Sequence, residues 1–196
     1  LTIYRESRDR AGEAKVLNSL GEVYNELSQY PKALEVLQQA LTIRRELHDR
    51  KGEGETLDNL GETYALLDRL QLAFETLQQA LAIQREIGNR SGESETLDNL
   101  SGVELSLSSY SSNRSKEKAL ELAQQALAIR QKLGDRRDLA ETLGSIGGIY
   151  LAQERYVEAL EPLRQALSIY QELGNRAGVG ATLLSIGVVD FFKNQS

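Results

Sequence analysis

The chain has no cysteine and only one histidine, His48, among its 196 residues. Disulfides and thiolate metal sites are therefore absent from this sequence. A single histidine supplies neither a set of metal ligands nor a partnered general base. No glycine-rich phosphate-binding loop is present either, because Gly147 and Gly148 lie inside a helical pattern. We therefore expect no enzyme activity, no cofactor and no metal, and we expect His48 to be a surface residue.

Long apolar runs are also missing, since no segment approaches the ~20 residues that a membrane span needs. Positive charge is in deficit, with 23 Lys and Arg against 29 Asp and Glu. Nucleic acids and anionic membranes require clustered basic residues, so neither is an expected partner. The lack of a signal peptide favours a cytoplasmic location. A start inside a repeat, without an initiator methionine, indicates a fragment of a longer protein.

What the sequence does contain is a repeat of ten residues. Its five copies begin at Leu1, Leu41, Leu81, Leu127 and Leu167, and the spacing is 40 residues except for one step of 46. A constant period of this size predicts a stacked repeat array. We predict one domain over 1–196, with approximate units at 1–10 (partial), 11–50, 51–90, 91–136, 137–176 and 177–196 (partial).

Each unit contains two amphipathic helical stripes. In the first full unit, Val16, Leu17, Leu20 and Tyr24 recur at steps of three and four residues, which predicts a helix that we call helix A. After a break at 28–31, a second stripe predicts helix B. No stretch alternates with a period of two residues, so we predict an all-α architecture.

Residues typical of helix ends separate these stripes. In three copies helix B stops at a glycine, which favours the left-handed conformation that closes a helix: Gly88, Gly134 and Gly174. The next position offers a side-chain oxygen that can cap the following helix A: Asp49, Asn89, Asp135 and Asn175.

The order of small and large residues resembles the tetratricopeptide repeat. Leu17-x2-Leu20-Gly21-x2-Tyr24, followed by Ala33, Leu37 and Ala40, is similar to the family pattern W-x2-L-G-x2-Y followed by A, F and A. The later copies are Leu57, Leu60, Gly61, Tyr64, Ala73, Leu77 and Ala80, and then Leu143, Ile146, Gly147, Tyr150, Ala159, Leu163 and Ala166. The resemblance implies a right-handed α-solenoid of antiparallel helix pairs, the tetratricopeptide superhelix.

The unit of 40 residues is longer than the 34-residue unit of that family. The extra residues fall at the end of helix B, where Arg45, Arg85 and Gln131 replace a proline. This long-helix variety is similar to kinesin light chain, to Pins-type adaptors and to bacterial repeats associated with CHAT-type or NB-ARC-type domains. These resemblances imply a protein–protein interaction scaffold that binds a protein or peptide, without catalysis by the repeats.

The third unit departs from the pattern. Ser101 replaces the glycine, Glu104 the tyrosine and Ala123 the large apolar residue, and six residues are added between Ser106 and Lys118. We expect this weakened core to make 101–118 the least protected interior region of the array.

An alternative alignment of the third unit places Gly102 and Leu105 at the glycine and tyrosine positions. It requires one extra residue in helix A, which a π-bulge near Ser101 would absorb. The serine-rich segment 106–115 predicts a solvated loop, with a phosphorylation or docking role as the less favoured interpretation.

The resemblance places the functional surface on the face of helix A opposite its apolar stripe, which lines the concave groove. The predicted peptide-binding residues are Lys15, Asn18, Glu22, Asn25, Glu26, Glu55, Asp58, Glu62, Glu95, Asp98 and Glu141. The first three units contribute seven acids and one base to this face, so we expect a basic or neutral segment as the partner. We expect Asn18 and Asn25 to bond its backbone, and Asp58 and Glu62 to be exposed.

Charged residues also recur at the start of helix A. Glu13, Glu53 and Glu93 lie in its first turn, where a negative charge favours the helix dipole. A recurring arginine precedes them, and a glutamate stands four residues before it in four of the five copies, with Lys132 in the remaining one. We expect these pairs to form an exposed ladder worth ~0–1 kcal/mol per pair, an interpretation we favour over a binding site for anions. The arginines are Arg10, Arg50, Arg90, Arg136 and Arg176.

An alternative function is a structural spacer or a self-assembly module of a larger multidomain signalling protein. The last predicted helix, near 178–192, is apolar around its circumference, with Leu183, Leu184, Ile186, Val188, Val189, Phe191 and Phe192. We expect this end either to fray or to self-associate end to end, through contact with Leu1, Ile3 and Tyr4 of a second copy.

Overall fold

The computed structural model of the protein describes residues 9–108 and 113–193. Within these ranges it contains nine α-helices and no β-strand, which confirms the all-α prediction. None of these helices is long and apolar enough to span a membrane. The helices are α1 (Arg10–Glu26), α2 (Tyr30–Glu46), α3 (Arg50–Leu66), α4 (Leu70–Glu86), α5 (Arg90–Ser108), α6 (Asn113–Leu133), α7 (Arg136–Ala152), α8 (Tyr156–Glu172) and α9 (Arg176–Lys193).

The chain forms two compact units, Leu1–Val103 and Glu104–Ser196. In the first unit, α1 packs against α2, α2 against α3, and α3 against α4. In the second unit, α6, α7, α8 and α9 pack in the same consecutive manner. Alternate helices also touch, α1 with α3 and α7 with α9. The odd-numbered helices are the predicted A helices and the even-numbered ones are the B helices. The single domain over 1–196 stays a prediction.

The turns between helices have a left-handed residue. Helices α1 to α4 each span 17 residues and are joined by short turns, which together produce the 40-residue period. Gly88, Gly134 and Gly174 have positive φ angles, as predicted, and His48 adopts φ +55° at the equivalent place and is exposed. The A-to-B turns use Ser28, Asp68 and Glu154 in the same conformation, which the sequence pattern did not predict.

The predicted caps of the A helices are confirmed. The carboxylate of Asp49 accepts a hydrogen bond from the backbone N–H of Gly52 at 2.9 Å. This bond satisfies one of the amides that the first turn of a helix leaves without a partner. Asn89, Asp135 and Asn175 cap α5, α7 and α9 in the same way.

Each regular helix pair is held by a leucine of helix B that packs over a glycine of helix A. A Cβ atom on Gly21 would lie 2.4 Å from Cγ of Leu37, and one on Gly147 would lie 2.5 Å from Leu163. Gly61 and Leu77 form the same contact. Fully buried alanines flank the three leucines: Ala33, Ala40, Ala73, Ala80, Ala159 and Ala166. Small residues thus let the two helices approach closely, as the sequence pattern predicted.

The third repeat unit of the sequence, at 91–136, is more regular than predicted. Helix α5 is α-helical throughout 90–108, so the π-bulge near Ser101 is wrong. Ser101 and Val103 are buried like Gly61 and Thr63, which supports the alignment with Ser101 at the glycine position. The predicted loop is also shorter, because 106–108 end α5 and 113–115 begin α6. Residues 109–112 lie outside the described residues, and low protection of 101–118 stays a prediction.

The recurring arginines at the start of helix A pair with glutamates at the end of helix B of the same helix pair. Nη2 of Arg10 lies 2.6 Å from Oε2 of Glu46, which is 36 residues later in the chain. The prediction that these arginines pair with a glutamate four residues earlier is therefore wrong. The same forward pairing joins Arg50 to Glu86 and Arg136 to Glu172.

The first-turn glutamates are buried acceptors of ion pairs rather than simple partners of the helix dipole. Oε1 of Glu53 accepts from Nε of Arg45 at 2.8 Å, and Oε2 accepts from Nη1 of Arg50 at 2.7 Å. Burial by itself would raise the pKa of Glu53, but these two arginines lower it below its ordinary value. Glu13 and Glu93 are buried at the equivalent positions.

The last helix, α9, has an uncovered apolar face. Leu183 is 50% exposed, Leu184 73% and Phe191 59%. Gly187 occupies the position of Gly147, yet a Cβ atom on it would meet no atom of the described residues within 4 Å. End-to-end self-association through 178–192 stays a prediction.

Gly147→Ala and Gly148→Ala form a matched pair in α7. We expect Gly147→Ala to lower the free energy of unfolding by about 1–3 kcal/mol, because its new Cβ would overlap the buried Leu163. Gly148 has no such neighbour, and alanine favours helix, so Gly148→Ala should raise that free energy by up to ~1 kcal/mol. Urea denaturation measures both. Equal changes in the free energy of unfolding for the two substitutions would contradict the close contact between Gly147 and Leu163.

Glu53→Gln should lower the free energy of unfolding by about 2 kcal/mol at neutral pH, because Arg45 and Arg50 lose their charged acceptor. The pKa of Glu53 is lower in the folded state, so its stabilisation is present above the unfolded value near 4.5 and is lost as pH falls through the folded value. Wild type and variant should therefore converge in acid. Thermal unfolding at several pH values checks this, with the exposed Glu35→Gln as control.

Candidate functional site

The predicted groove face of the first unit forms a cavity of about 350 Å³. Side chains from α1, α3 and α5 meet there with the end of α4. Its lining residues are Asn18, Glu22, Lys51, Glu55, Asp58, Asn59, Gln84, Asn89, Ser91, Gly92 and Glu95. Five of them are among the predicted site residues: Asn18, Glu22, Glu55, Asp58 and Glu95.

The other predicted residues lie outside this lining. Lys15, Glu26 and Glu62 are exposed on the A helices of the first unit, and Asp98 is half-buried in α5. Glu141 is exposed on α7 in the second unit, where Nε of Arg137 lies 3.3 Å from its Oε1. The sequence missed Lys51 and Gln84, because their inclusion depends on how helices pack rather than on the pattern within one helix.

The prediction that Asp58 is exposed is wrong, because its side chain is only 5% exposed. Asn18 and Asn25, which were expected to bond the backbone of a partner, are also buried, at 7% and 8% exposed. Asn25 bonds Thr63 of α3: its Nδ2 donates to Thr63 Oγ1 at 3.0 Å. Its amide therefore links α1 to α3 in the first unit, which conflicts with the expectation that it bonds the backbone of a partner.

Amide side chains hold the carboxylates of the cavity in place across neighbouring A helices. Oε1 of Glu22 accepts from Nδ2 of Asn59 at 2.8 Å and from Nδ2 of Asn18 at 2.9 Å. Oδ2 of Asp58 accepts from Nδ2 of Asn99 at 2.8 Å. The repeated Asp-Asn pairs at 58–59 and 98–99 were the sequence signal for this arrangement.

A buried arginine supports one of the carboxylates. Arg44 of α2 is 5% exposed, and its Nη1 lies 3.0 Å from Oε2 of Glu55. Gly52 leaves room for it, since a Cβ atom there would lie 2.4 Å from that same nitrogen. Arg44 thus holds Glu55 at the cavity, and its positive charge partly compensates the negative charge of Glu55. Lys51 is the one basic residue in the described lining.

Burial and mutual repulsion make two carboxylates of this face harder to ionise. Burial raises the pKa of Asp58 to about 7, and the charges of Glu95 and Glu62 add to this shift. The hydrogen bond from Asn99 opposes it. Desolvation also raises the pKa of Glu62, with a further contribution from the charge of Glu22. A positive charge brought into this cavity would relieve the repulsion.

The same face of the second unit has a different chemistry. On α7, the repeat positions of Asn18, Glu22, Asn25 and Glu26 are occupied by Gly144, Gly148, Leu151 and Ala152. A Cβ atom on either glycine would meet no atom of the described residues within 4 Å, so this surface of α7 is open. Across the described ranges of both units, no group of three His, Cys, Asp or Glu side chains could hold a metal ion.

The repeat pattern of the sequence agrees with the helix pairs and their glycine–leucine contacts. Sequence models of the tetratricopeptide repeat match residues 1–46, 12–86 and 115–172, well over half of the chain. The chain belongs to the tetratricopeptide repeat family. This membership confirms the resemblance seen in the sequence and supports a role as a protein-interaction scaffold. Tetratricopeptide repeats are typically non-enzymatic, and the lack of enzyme activity stays a prediction for this chain.

Solved structures share the fold at low sequence identity. BtubC from P. vanneervenii is 21% identical with a TM-score of 0.80, over 95% of this chain and 75% of that one. A putative kinesin light chain from Podosopora anserina with TPR-like repeats is 20% identical with a TM-score of 0.64, over 93% and 97%. A Rap protein complexed with Competence and Sporulation Factor is 16% identical with a TM-score of 0.80, over 93% and 53%. Among curated proteins, no relative of this chain is found.

Proposed function

We propose that the first unit binds an extended, positively charged segment of another protein on its groove face. The observation that carries the proposal is the cavity between α1, α3 and α5, which Glu22, Glu55, Asp58 and Glu95 line against one base, Lys51. Negative charge predominates on this face, and a predominantly negative cavity attracts a partner of opposite charge.

The size and polarity of the cavity favour a peptide side chain over a small apolar ligand. Its volume of about 350 Å³ is at the lower end of ligand sites, and its described lining contains no large apolar side chain. Amides at Asn18, Asn59 and Asn89 line it together with the carboxylates. Such groups can exchange hydrogen bonds with both the backbone and the basic side chains of an extended segment.

The family supports the same proposal. The family resemblance implies that A helices line the partner-binding groove, and the Rap protein was solved in complex with Competence and Sporulation Factor. This chain spans about half of the length of that protein. The exposed end of α9 favours the alternative role in self-assembly, which makes no use of the acidic cavity.

A twelve-residue peptide that repeats Gly-Lys-Ser should bind the chain more tightly than peptides that repeat Gly-Glu-Ser or Gly-Gln-Ser. The reason is Coulomb attraction to the cavity, so binding should weaken as salt rises. Fluorescence anisotropy of labelled peptides at low and high salt measures this. Equal affinity for the three peptides at low salt would contradict the proposal and favour the spacer.

Charge reversal should locate the site. We expect Glu22→Lys with Glu95→Lys to weaken binding of the Gly-Lys-Ser peptide by about ten-fold or more, because both residues are exposed and line the cavity. Glu35→Lys with Glu75→Lys changes the net charge equally on exposed B-helix positions of the same unit. This control should retain most of the affinity. Equal losses in the two variants would show that net charge, and not the cavity, attracts the peptide.

A further inference from the structure

The cavity of the first compact unit is lined by a buried carboxylate, that of Asp58. We propose that it is a subsite for one basic side chain, a lysine or arginine of the docked segment, and that the buried carboxylate of Asp58 is its anchor. This inference rests on the proposed function, because the side chain arrives as part of the segment that the groove face binds. It adds the identity of the anchoring residue and a dependence of binding on protons.

Asp58 is buried without having both oxygens satisfied. It is 5% exposed and lines the cavity, and its Oδ2 accepts the 2.8 Å bond from Asn99. Its Oδ1 has no hydrogen-bond partner among the described residues, because the neighbouring hydroxyl of Thr96 donates to the carbonyl of Gly92 at 2.9 Å. A buried carboxylate oxygen without a donor is costly for the folded protein. A ligand that supplies the donor removes this cost.

A second acceptor in the same cavity has the same property. Asn18 of α1 is 7% exposed, and its Nδ2 donates to Glu22, while its Oδ1 has no hydrogen-bond partner among the described residues. Asn18 and Asp58 occupy equivalent positions in consecutive repeats, 40 residues apart. Both unsatisfied groups accept hydrogen bonds. The ligand that complements them is therefore a donor, and an ammonium or guanidinium group carries several donors together with positive charge.

The charged groups around Asp58 favour a cation. They come from each element packed around the cavity: Glu22 from α1, Arg44 from α2, Lys51, Glu55 and Glu62 from α3, and Glu95 from α5. Arg44 is already bonded to Glu55, and α4 contributes the neutral Gln84. Four carboxylates thus surround the Asp58 carboxyl group against the single lining base. A bound ammonium group would offset their repulsion, and this effect is strongest where water is excluded.

Binding should therefore be linked to deprotonation of Asp58. Burial places its pKa at about 7, so the carboxyl group is about half protonated in the free protein at pH 7. A cation favours the ionised form, which lowers this pKa in the complex. The sign follows directly: affinity is low below pH 7, where a proton occupies the carboxyl group, and rises as pH increases through 7. The lysine of the ligand stays charged over this range.

The test measures binding of the Gly-Lys-Ser peptide by isothermal titration calorimetry between pH 6 and pH 8. The expected affinity rises about ten-fold over this range, with release of about half a proton at pH 7, as two buffers of different ionisation enthalpy would show. In Asp58→Asn, which has nearly the same shape, the affinity at pH 8 should fall to the wild-type level at pH 6 and the proton release should vanish. Glu35→Gln on α2 is the matched control and should behave as wild type.

The outcomes separate this inference from the proposed function. Salt-sensitive binding that does not change with pH, or a pH dependence that persists in Asp58→Asn, would overturn the subsite and leave the basic-peptide proposal intact. No binding of any lysine peptide would overturn both. Carboxyl-carbon NMR of Asp58 supplies a second measurement that needs no variant: its midpoint should lie near 7 in the free protein and fall when the peptide is added. A free-protein midpoint near 4 would also overturn the subsite.

Discussion

The contact between a leucine of helix B and a glycine of helix A controls the regular helix pairs of both units. Gly21, Gly61 and Gly147 each lie so close to a buried leucine that a methyl group would overlap it. Burying one leucine contributes about 1.5–3 kcal/mol, and the close approach is possible only because the opposing residue has no side chain. This close contact requires the glycine side of each A helix to face helix B. The rotation of the A helix about its axis is thereby determined, and so are the residues on its opposite face.

That rotation explains why polar side chains of the first unit are buried beside the cavity. Asn18 and Asp58 come directly after the core residues Leu17 and Leu57, which are almost fully buried. One residue further along a helix corresponds to a turn of about 100°, which places these side chains at the border between core and groove. Both side chains are buried and both also line the cavity. Such a border is where a protein can hold unsatisfied groups for a ligand, at some cost in stability.

The same repeat produces two different surfaces in its two units. In the first, the exposed positions of the A helices carry acids whose positions are set by amides from the neighbouring A helix, as in the bond from Asn59 to Glu22. In the second, α7 presents Gly144 and Gly148 at equivalent positions and Glu141 pairs with Arg137 of its own helix. The glycine–leucine contact is common to both units, because it involves only the opposite face of helix A. The two units therefore share the buried glycine–leucine contact and differ in the residues on the opposite face of helix A.

The sequence by itself determined the period, the helices, their glycine stops and their caps, because each depends on residues a few positions apart. It also identified the acidic face, since side chains at helical spacing share one side. The tertiary structure alone decided that Asp58 is buried, that Asn25 bonds Thr63 and that Arg10 pairs with Glu46. The residues joined by the last two contacts lie about 40 positions apart in chain order. Their geometry depends on how helices pack within a pair and between successive pairs, which no pattern within a single helix contains.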